Sequence, residues 1–283
     1  QKKLKMPKTR QMGKLIMNIE EKILSYFKER QKLLEWFNND EQNQELLKLY
    51  NSKNEVIKEI KALNEELKCG ELSLLLPSIP PNYEKSKYKI MVIGQELNGG
   101  FGIRSEPRIT MLDNLKGQTS KSSGGGFFSF PAKLCHAVNE IGGKLNRKKI
   151  RSYFVWAEIR KFLYYKKVGS KSRVPRIPLN AEVQNLIDRE LNILEDEIKI
   201  INPDIVLFLI GPSDKYKEVI EKQLNGVKFH KFENFEEKEL AKVEHPILEG
   251  RKAFRIYHPT RFRFIKKEIS KKYLEELIKE CKK

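Results

Sequence analysis

The feature that most constrains the fold is a set of short apolar segments separated by stretches with helical periodicity. The segments are typical of buried strands and read, in chain order, YKIMVIG, YFVWAEI, DIVLFLIG and AFRIYHP. Between them, FPAKLCHAVNEIGG predicts a helix closed by Gly142, and a further helix is predicted from the cap residue Asn180 to Pro203. Apolar strands that alternate with helices predict an α/β fold, with a mainly parallel central sheet flanked by helices on both faces.

The N-terminal part of the chain has a different pattern. Over residues 14–68 apolar side chains recur at helical spacing, and the segment PSIPP at residues 77–81 then interrupts the pattern. We therefore expect an N-terminal helical region over residues 1–80, appended to a main domain over residues 81–283. The sequence identifies no protein partner for these helices, and we expect a monomer.

The charge of the chain favours a polyanionic partner. Lys and Arg number 56 against 38 Asp and Glu, a formal net charge of +18. The excess is concentrated in residues 144–176, with 12 basic residues and one acid, and in residues 251–283, with 12 basic residues and 4 acids. Because aromatic residues are interleaved with the first of these segments, we predict nucleic acid as the partner. For the scattered lysines of residues 2–68, a solvated surface is the simpler interpretation.

Several classes of protein are disfavoured. No run approaches the roughly 18 apolar residues of a membrane span, and no apolar signal segment opens the chain, so we expect a soluble cytoplasmic protein with no membrane contact. Cys69, Cys135 and Cys281 are odd in number and far apart. This spacing argues against a disulfide framework and against a four-cysteine metal site, so we expect reduced thiols and no metal.

Polar residues follow the ends of the predicted strands. Gln95 and Glu96 come directly after the first strand, Glu158 lies inside VWAEI, and His258 closes the last strand. In parallel sheets ligands bind beyond the carboxyl ends of the strands, so these four are candidate site residues. The alternatives are a helix cap or a surface acid for Glu96 and a structural role for His258.

A family resemblance rests on motifs that coincide with these strand ends. Over roughly residues 89–264 the motifs are similar, in order and in approximate separation, to those of the uracil-DNA glycosylase superfamily. They are VIGQELNGG, GGGFFSFP, VWAEIRKF, NPDIVLFLIG and IYHPT. The resemblance implies a glycosylase-like catalytic domain that acts on DNA and needs no cofactor. Iron–sulfur members of the superfamily use four cysteines, whereas this chain has three, so no cluster is expected.

The matched motifs imply catalytic roles for two residues. Glu96, in GQE, stands where the family has the residue that positions or activates water, although the family's Asp is one methylene shorter. A carboxylate there favours the cationic sugar of the transition state. His258, in HPT, is expected to donate a hydrogen bond to the base carbonyl O2, where negative charge collects.

The remaining motifs imply contacts with the base and with DNA. Phe128, in FFS, is expected to stack on a base rotated out of the duplex, and its alternative is a place in the core. Phe262 or Arg261 is expected to fill the gap left in the stack. The residues expected to contact the base are Gln95, Asn98, Phe128 and Glu158. Those expected to contact DNA are Lys161, Arg173, Thr260, Arg261, Phe262 and Arg263.

Glu158 departs from the family pattern, because it stands where the family has an Asn that reads the pyrimidine edge. An ionised carboxylate only accepts hydrogen bonds, which suits the N4 amino group of cytosine and repels O4 of uracil. Excision of ordinary cytosine would be toxic, so a modified cytosine, such as that of phage DNA, is the sharper hypothesis and uracil the conservative one. The sequence leaves repair and defence open as roles. The alternative function is a non-catalytic module that binds modified or damaged DNA.

Overall fold

The computed structural model describes residues 28, 31–67, 71–95, 110–112, 115, 128–144, 146, 150–165, 180–211, 214–258 and 267–283. Within these residues the chain is an α/β fold. Its strands are β1 Glu71–Leu74, β2 Ile90–Gly94, β3 Phe154–Glu158, β4 Phe162–Tyr165, β5 Ile205–Leu209, β6 Lys228–Lys231, β7 Leu240–Glu244 and β8 Lys252–Ile256. Its helices are α1 31–39, α2 Glu41–Ser52, α3 Asn54–Glu66, α4 Ser129–Val138, α5 Ala181–Glu190, α6 Leu194–Ile201, α7 Asp214–Gln223 and α8 Lys267–Lys282.

In the described part of the chain the main sheet has six strands, in the order β3-β2-β5-β8-β7-β6. The first four strands run parallel to one another. Strand β7 pairs antiparallel with β8, and β6 pairs antiparallel with β7. The α/β class and the mainly parallel sheet are thus confirmed. The sequence did not predict β6 and β7, nor the separate antiparallel pair of β1 and β4.

The two faces of the sheet bury different side chains. Val206 and Phe208 of β5 belong to a core cluster shared with helices α2, α3, α5 and α6. Leu207 and Leu209 point to the other face, where their cluster includes residues of α4 and α8. Because β5 is buried on both faces, its sequence is apolar throughout, as expected for a central parallel strand.

The predicted helix from Asn180 to Pro203 is two helices rather than one. Its start is as predicted, because the Asn180 side chain accepts a hydrogen bond from the backbone N–H of Glu182 at 2.8 Å. The chain then leaves helical geometry between α5 and α6, where Leu191 and Ile193 are both buried. This break lets both helices bury their apolar stripes, and it carries no glycine or proline by which the sequence could reveal it.

The N-terminal region is helical where it is described, over residues 31–67. Helix α2 packs on α6 and α3 packs on α5, so the helices share one core cluster with the sheet. The Tyr50 hydroxyl of α2 also donates to Glu197 of α6 at 2.9 Å. The hydrophobic core is therefore continuous across residue 80. None of the described helices is long and apolar enough to cross a membrane.

Candidate functional site

The candidate site lies at the carboxyl ends of the four parallel strands. Gln95 follows β2 directly, Glu158 is the last residue of β3, and His258 lies two residues beyond β8. The fourth strand, β5, leads through Ile210 to Gly211. Because β3, β2, β5 and β8 are successive neighbours in the sheet, the topology brings these residues to one edge.

Glu158 and Gly94 are in unusually close contact. They are register partners in the β2–β3 ladder, and Glu158 is only 2% exposed. A Cβ atom placed on Gly94 would lie 2.3 Å from Glu158 Oε2 and 2.9 Å from Oε1. The carboxylate therefore lies against the α-carbon of residue 94, and only a residue without a side chain leaves room for it.

Gln95, Gly211 and His258 form a second group at the same edge. Gln95 Nε2 donates to the carbonyl oxygen of Ile210 at 2.5 Å, which fixes the amide beside the end of β5. A Cβ atom on Gly211 would lie 3.5 Å from Gln95 Nε2 and 3.4 Å from the backbone N of His258. Gly211 has φ +75°, a left-handed conformation that favours glycine. Gln95 and His258 therefore both lie next to Gly211, and His258 is 7% exposed.

The backbone after β3 continues alongside the end of β2. The N–H of Ile159 donates to the carbonyl of Gly94 at 2.9 Å, and the N–H of Arg160 donates to the carbonyl of Gln95 at 3.3 Å. The Arg160 guanidinium lies 5.6 Å from the ring centroid of Tyr216 on α7. The pairing therefore extends beyond Glu158 and holds this turn against β2.

The structure corrects the expectation that Lys161 contacts DNA. Its side chain is 2% exposed, and its Nζ donates to Glu197 Oε2 at 2.6 Å and to the carbonyl of Glu158 at 2.8 Å. Glu197 itself is 0% exposed. An ammonium group enclosed in this way does not reach a phosphate at the surface.

The ion pair of Lys161 and Glu197 lies in an apolar environment, and this affects its neighbours. Burial raises the pKa of the Glu197 carboxyl above its usual value, although the charge of Lys161 and the hydrogen bonds from Lys161 and Tyr50 act in the opposite direction. Burial, together with the nearby Glu197, raises the pKa of Tyr50 well above its usual value. Tyr50 therefore remains a hydrogen-bond donor at neutral pH.

The structure also corrects the expectation for Phe128, which lies in the core at the start of α4. Its ring is 8% exposed and makes a perpendicular contact with Trp156 at 4.9 Å between centroids. The Arg151 guanidinium lies 4.0 Å from the centroid of the same ring. Burial lowers the pKa of Arg151 to about 10, so this group is charged at neutral pH. Because Arg151 and Trp156 already pack on the ring, the packing alternative describes Phe128 better than base stacking.

Several predicted site residues lie outside the described residues and stay predictions. They are Glu96, Asn98, Arg173, Thr260, Arg261, Phe262 and Arg263. The basic segments that contain some of them are only partly superficial, since Arg151, Lys161 and Arg255 are buried. A count of charged residues therefore overstates the basic surface that these segments offer to DNA.

Sequence reasoning missed Arg255, whose guanidinium binds the backbone of Gly211 at the site. It is 1% exposed on β8, where Nη2 donates to the carbonyl of Gly211 at 3.2 Å. Its guanidinium carbon also lies 5.2 Å from the centroid of the Phe229 ring. A basic residue in the otherwise apolar segment AFRIYHP was the available signal, because a charge in a buried strand needs a specific partner.

A cavity of about 840 Å³ lies away from the candidate site, at the opposite end of β8. Its basic residues are largely paired with acids of the same wall. Lys242 lies 2.6 Å from Glu280, and His230 lies 2.7 Å from Glu244. The polar residues that converge at the strand ends therefore make a stronger candidate site than this cavity.

Comparison with known proteins adds no family assignment. No model of a known protein family matches the chain, and no curated protein matches its sequence.

Proposed function

We propose that the chain is a monofunctional DNA glycosylase that hydrolyses the N-glycosidic bond of a flipped-out pyrimidine and leaves an abasic site. The observation that carries the proposal is the convergence of Gln95, Glu158 and His258 around Gly94 and Gly211, at the carboxyl ends of adjacent parallel strands. These positions match the glycosylase-like motifs in order. The net charge of +18 supports a polyanionic substrate.

The residue types suit the chemistry of this bond. In hydrolysis the water oxygen bonds to C1′, the C1′–N1 electron pair leaves with the base, and the base and the sugar hydroxyl share the protons of water. Cation character grows on the sugar while negative charge grows on the base. We assign stabilisation of the base to a hydrogen bond from His258 and the orientation of water to Glu96, which directly follows the half-buried Gln95.

We further propose a cytosine-type base, and the position of Glu158 supports this choice. The carboxylate is buried at the strand end and lies against Gly94, so its oxygens have little freedom to turn away from a ligand. Ionised, it accepts a hydrogen bond from the cytosine N4 amino group. Protonated, it donates to N3 and accepts from N4–H, which is also a cytosine pattern. Uracil suits only the protonated form, with the hydroxyl turned toward O4.

A modified cytosine is the proposed substrate, because removal of ordinary cytosine would damage the DNA of the cell that makes the enzyme. Modified cytosine of phage DNA is one such base, which favours a role in defence over uracil repair. The assay uses matched oligonucleotides that contain uracil, cytosine, 5-methylcytosine, 5-hydroxymethylcytosine or its glucosylated form. Released base is measured by mass spectrometry and abasic sites by strand cleavage in mild alkali. DNA binding without abasic sites would overturn the proposal in favour of a non-catalytic module.

The substitution Glu158→Asn tests the base-reading role. It should shift preference from the cytosine-type base toward uracil by about 1–3 kcal/mol, the usual value of a good base-edge contact. Single-turnover rates on matched substrates give the ratio for both proteins. If the wild type already prefers uracil and the substitution leaves the ratio unchanged, Glu158 does not read the base.

A further inference from the structure

We infer that Tyr50, Glu197 and Lys161 form a buried polar chain through which the N-terminal helices position Glu158. The three side chains are 0%, 0% and 2% exposed. The inference rests on the proposed function for its effect on catalysis, and it gives the N-terminal helices a role inside the site rather than as an appendage.

The contacts run without a gap from helix α2 to the end of β3. Tyr50 Oη donates to Glu197 Oε1 at 2.9 Å, and Lys161 Nζ donates to Glu197 Oε2 at 2.6 Å. Lys161 Nζ also donates to the backbone carbonyl of Glu158 at 2.8 Å. Both oxygens of Glu197 are thus engaged, one by each neighbour, so a shift of α2 or α6 is passed on to Lys161.

The carbonyl of Glu158 is the group that needs this donor. In a parallel ladder the backbone groups of alternate residues point toward the neighbouring strand. Since the N–H of Ile159 donates to the carbonyl of Gly94, the carbonyl of Glu158 points away from β2. Among the described residues β3 is an outer strand of the main sheet, so no other described strand of that sheet supplies a donor there. Lys161 takes that place.

Positioning explains this arrangement better than stability does. Removing two charges from water costs several kcal/mol per ion, and apolar residues of similar volume are often equally stabilising or better. A hydrogen-bonded chain instead fixes one geometry. That geometry matters at Glu158, because its carboxylate already lies against the α-carbon of Gly94 and has no room to move toward it.

The first test compares two buried tyrosines that both donate to helix α6. Tyr50→Phe removes the donor to Glu197, whereas Tyr83→Phe removes a hydrogen bond to the carbonyl of Ile201 at 3.2 Å, outside the chain. Tyr50→Phe should slow base release by about 3- to 10-fold at unchanged KM, the usual effect of one buried hydrogen bond. Tyr83→Phe should leave the rate and base preference as in the wild type. Equal effects of the two substitutions would overturn the inference.

The second test replaces the whole chain with apolar side chains of similar size, as Tyr50→Phe, Lys161→Met and Glu197→Leu together. The triple variant should fold with a thermal midpoint within about 5 °C of the wild type, the loss reflecting the carbonyl of Glu158 without its donor, while base release falls roughly 10- to 100-fold. The preference for cytosine-type bases over uracil should also weaken, because Glu158 is less well held. A stable triple variant with the wild-type rate and preference would overturn the inference. If the triple variant does not fold, the tyrosine pair still decides.

Amide hydrogen exchange at Ile159 and Arg160 tests positioning without any reaction. Tyr50→Phe should accelerate exchange at these amides by about 10-fold or more, and Tyr83→Phe should not. If the wild type releases no base from any DNA, the proposed function fails, but faster exchange in Tyr50→Phe still supports the inference. Exchange at the wild-type rate in Tyr50→Phe and the triple variant would overturn it.

Discussion

The two halves of the main sheet are built differently, and the candidate site belongs to only one of them. In the parallel half, β2 and β5 are buried along their whole length, and polar groups gather beyond the strand ends. In the antiparallel half, β6 is mostly exposed and carries charges along its length. A strand buried on both faces accommodates few polar side chains along its length, Arg255 of β8 being one, so most polar groups lie at its ends. Burial on both faces therefore gathers the polar groups at the carboxyl ends of the parallel strands. In the exposed strand β6 the charged groups are instead spread along the strand.

The largest expected difference between the halves concerns histidine. His258→Ala should slow base release by roughly two or more orders of magnitude with DNA affinity changed only a few-fold, because the lost hydrogen bond acts on transition-state charge. His230→Ala is the matched change in the antiparallel half, where this exposed side chain lies 2.7 Å from Glu244. It should leave the rate unchanged. Equal rates for both variants would remove His258 from the mechanism.

The next difference concerns the contact between Gly94 and Glu158. Gly94→Ala places a methyl group on the carboxylate, which must move, so we expect base release to fall roughly 10- to 100-fold and stability by about 1–3 kcal/mol. In Gly142→Ala the new methyl group meets no atom within 4 Å. Single-turnover rates and urea unfolding measure both. A Gly94→Ala protein with the wild-type rate and preference would mean that the carboxylate position is unimportant.

A smaller difference separates two glycines with positive φ, one in each half. Gly211 and Gly226 have φ of +75° and +80°, so replacement of either by alanine should cost about 1–2 kcal/mol of stability. Only at Gly211 would the methyl group meet Gln95 and His258, and nothing lies within 4 Å at Gly226. Base release should therefore slow several-fold in Gly211→Ala alone. Identical rates at matched stability would show that the loop tolerates a side chain.

The smallest expected difference is between Cys135 of α4 and Cys281 of α8, which are buried in the same core cluster and should behave alike. Burial raises the pKa of each thiol from 9.0 to about 12. The folded protein therefore holds these protons more tightly than the unfolded chain, and stability should fall as pH rises from about 9 toward 12. Both thiols should resist thiol reagents at pH 8 until the protein unfolds. Labelling with peptide mapping checks this, and rapid native labelling of either thiol would contradict it.

The parallel half was predictable from sequence because its burial is expressed locally. Apolar runs gave β2, β3, β5 and β8, and Asn180 gave the start of α5. The antiparallel half was not predictable, since β6 carries the short charged sequence KFHK. The position of β6 in the sheet depends on its pairing with β7 and not on an apolar pattern in its own sequence.

Lys161 and Phe128 were placed wrongly from the sequence because their positions, like that of β6, depend on distant parts of the chain. Lys161 lies in a basic segment and so suggested a surface contact, but its partner Glu197 is 36 residues away, in the acidic first turn of α6. Phe128 is enclosed by Arg151, which also belongs to a basic segment. A charge pattern shows how many charges a segment has, and only tertiary structure shows which of them point inward.

Strand β6 bears on how the protein behaves at high concentration. Among the described strands its one neighbour is β7, so no other described strand pairs with the opposite row of its backbone donors and acceptors. Lys228 and Lys231 are both exposed on this strand. A second copy that approached in antiparallel register would bring like charges together at short range, which opposes edge-to-edge aggregation. Salt screens that repulsion between copies of β6, the edge strand most distant from β3. The solubility of this basic protein should therefore depend on ionic strength.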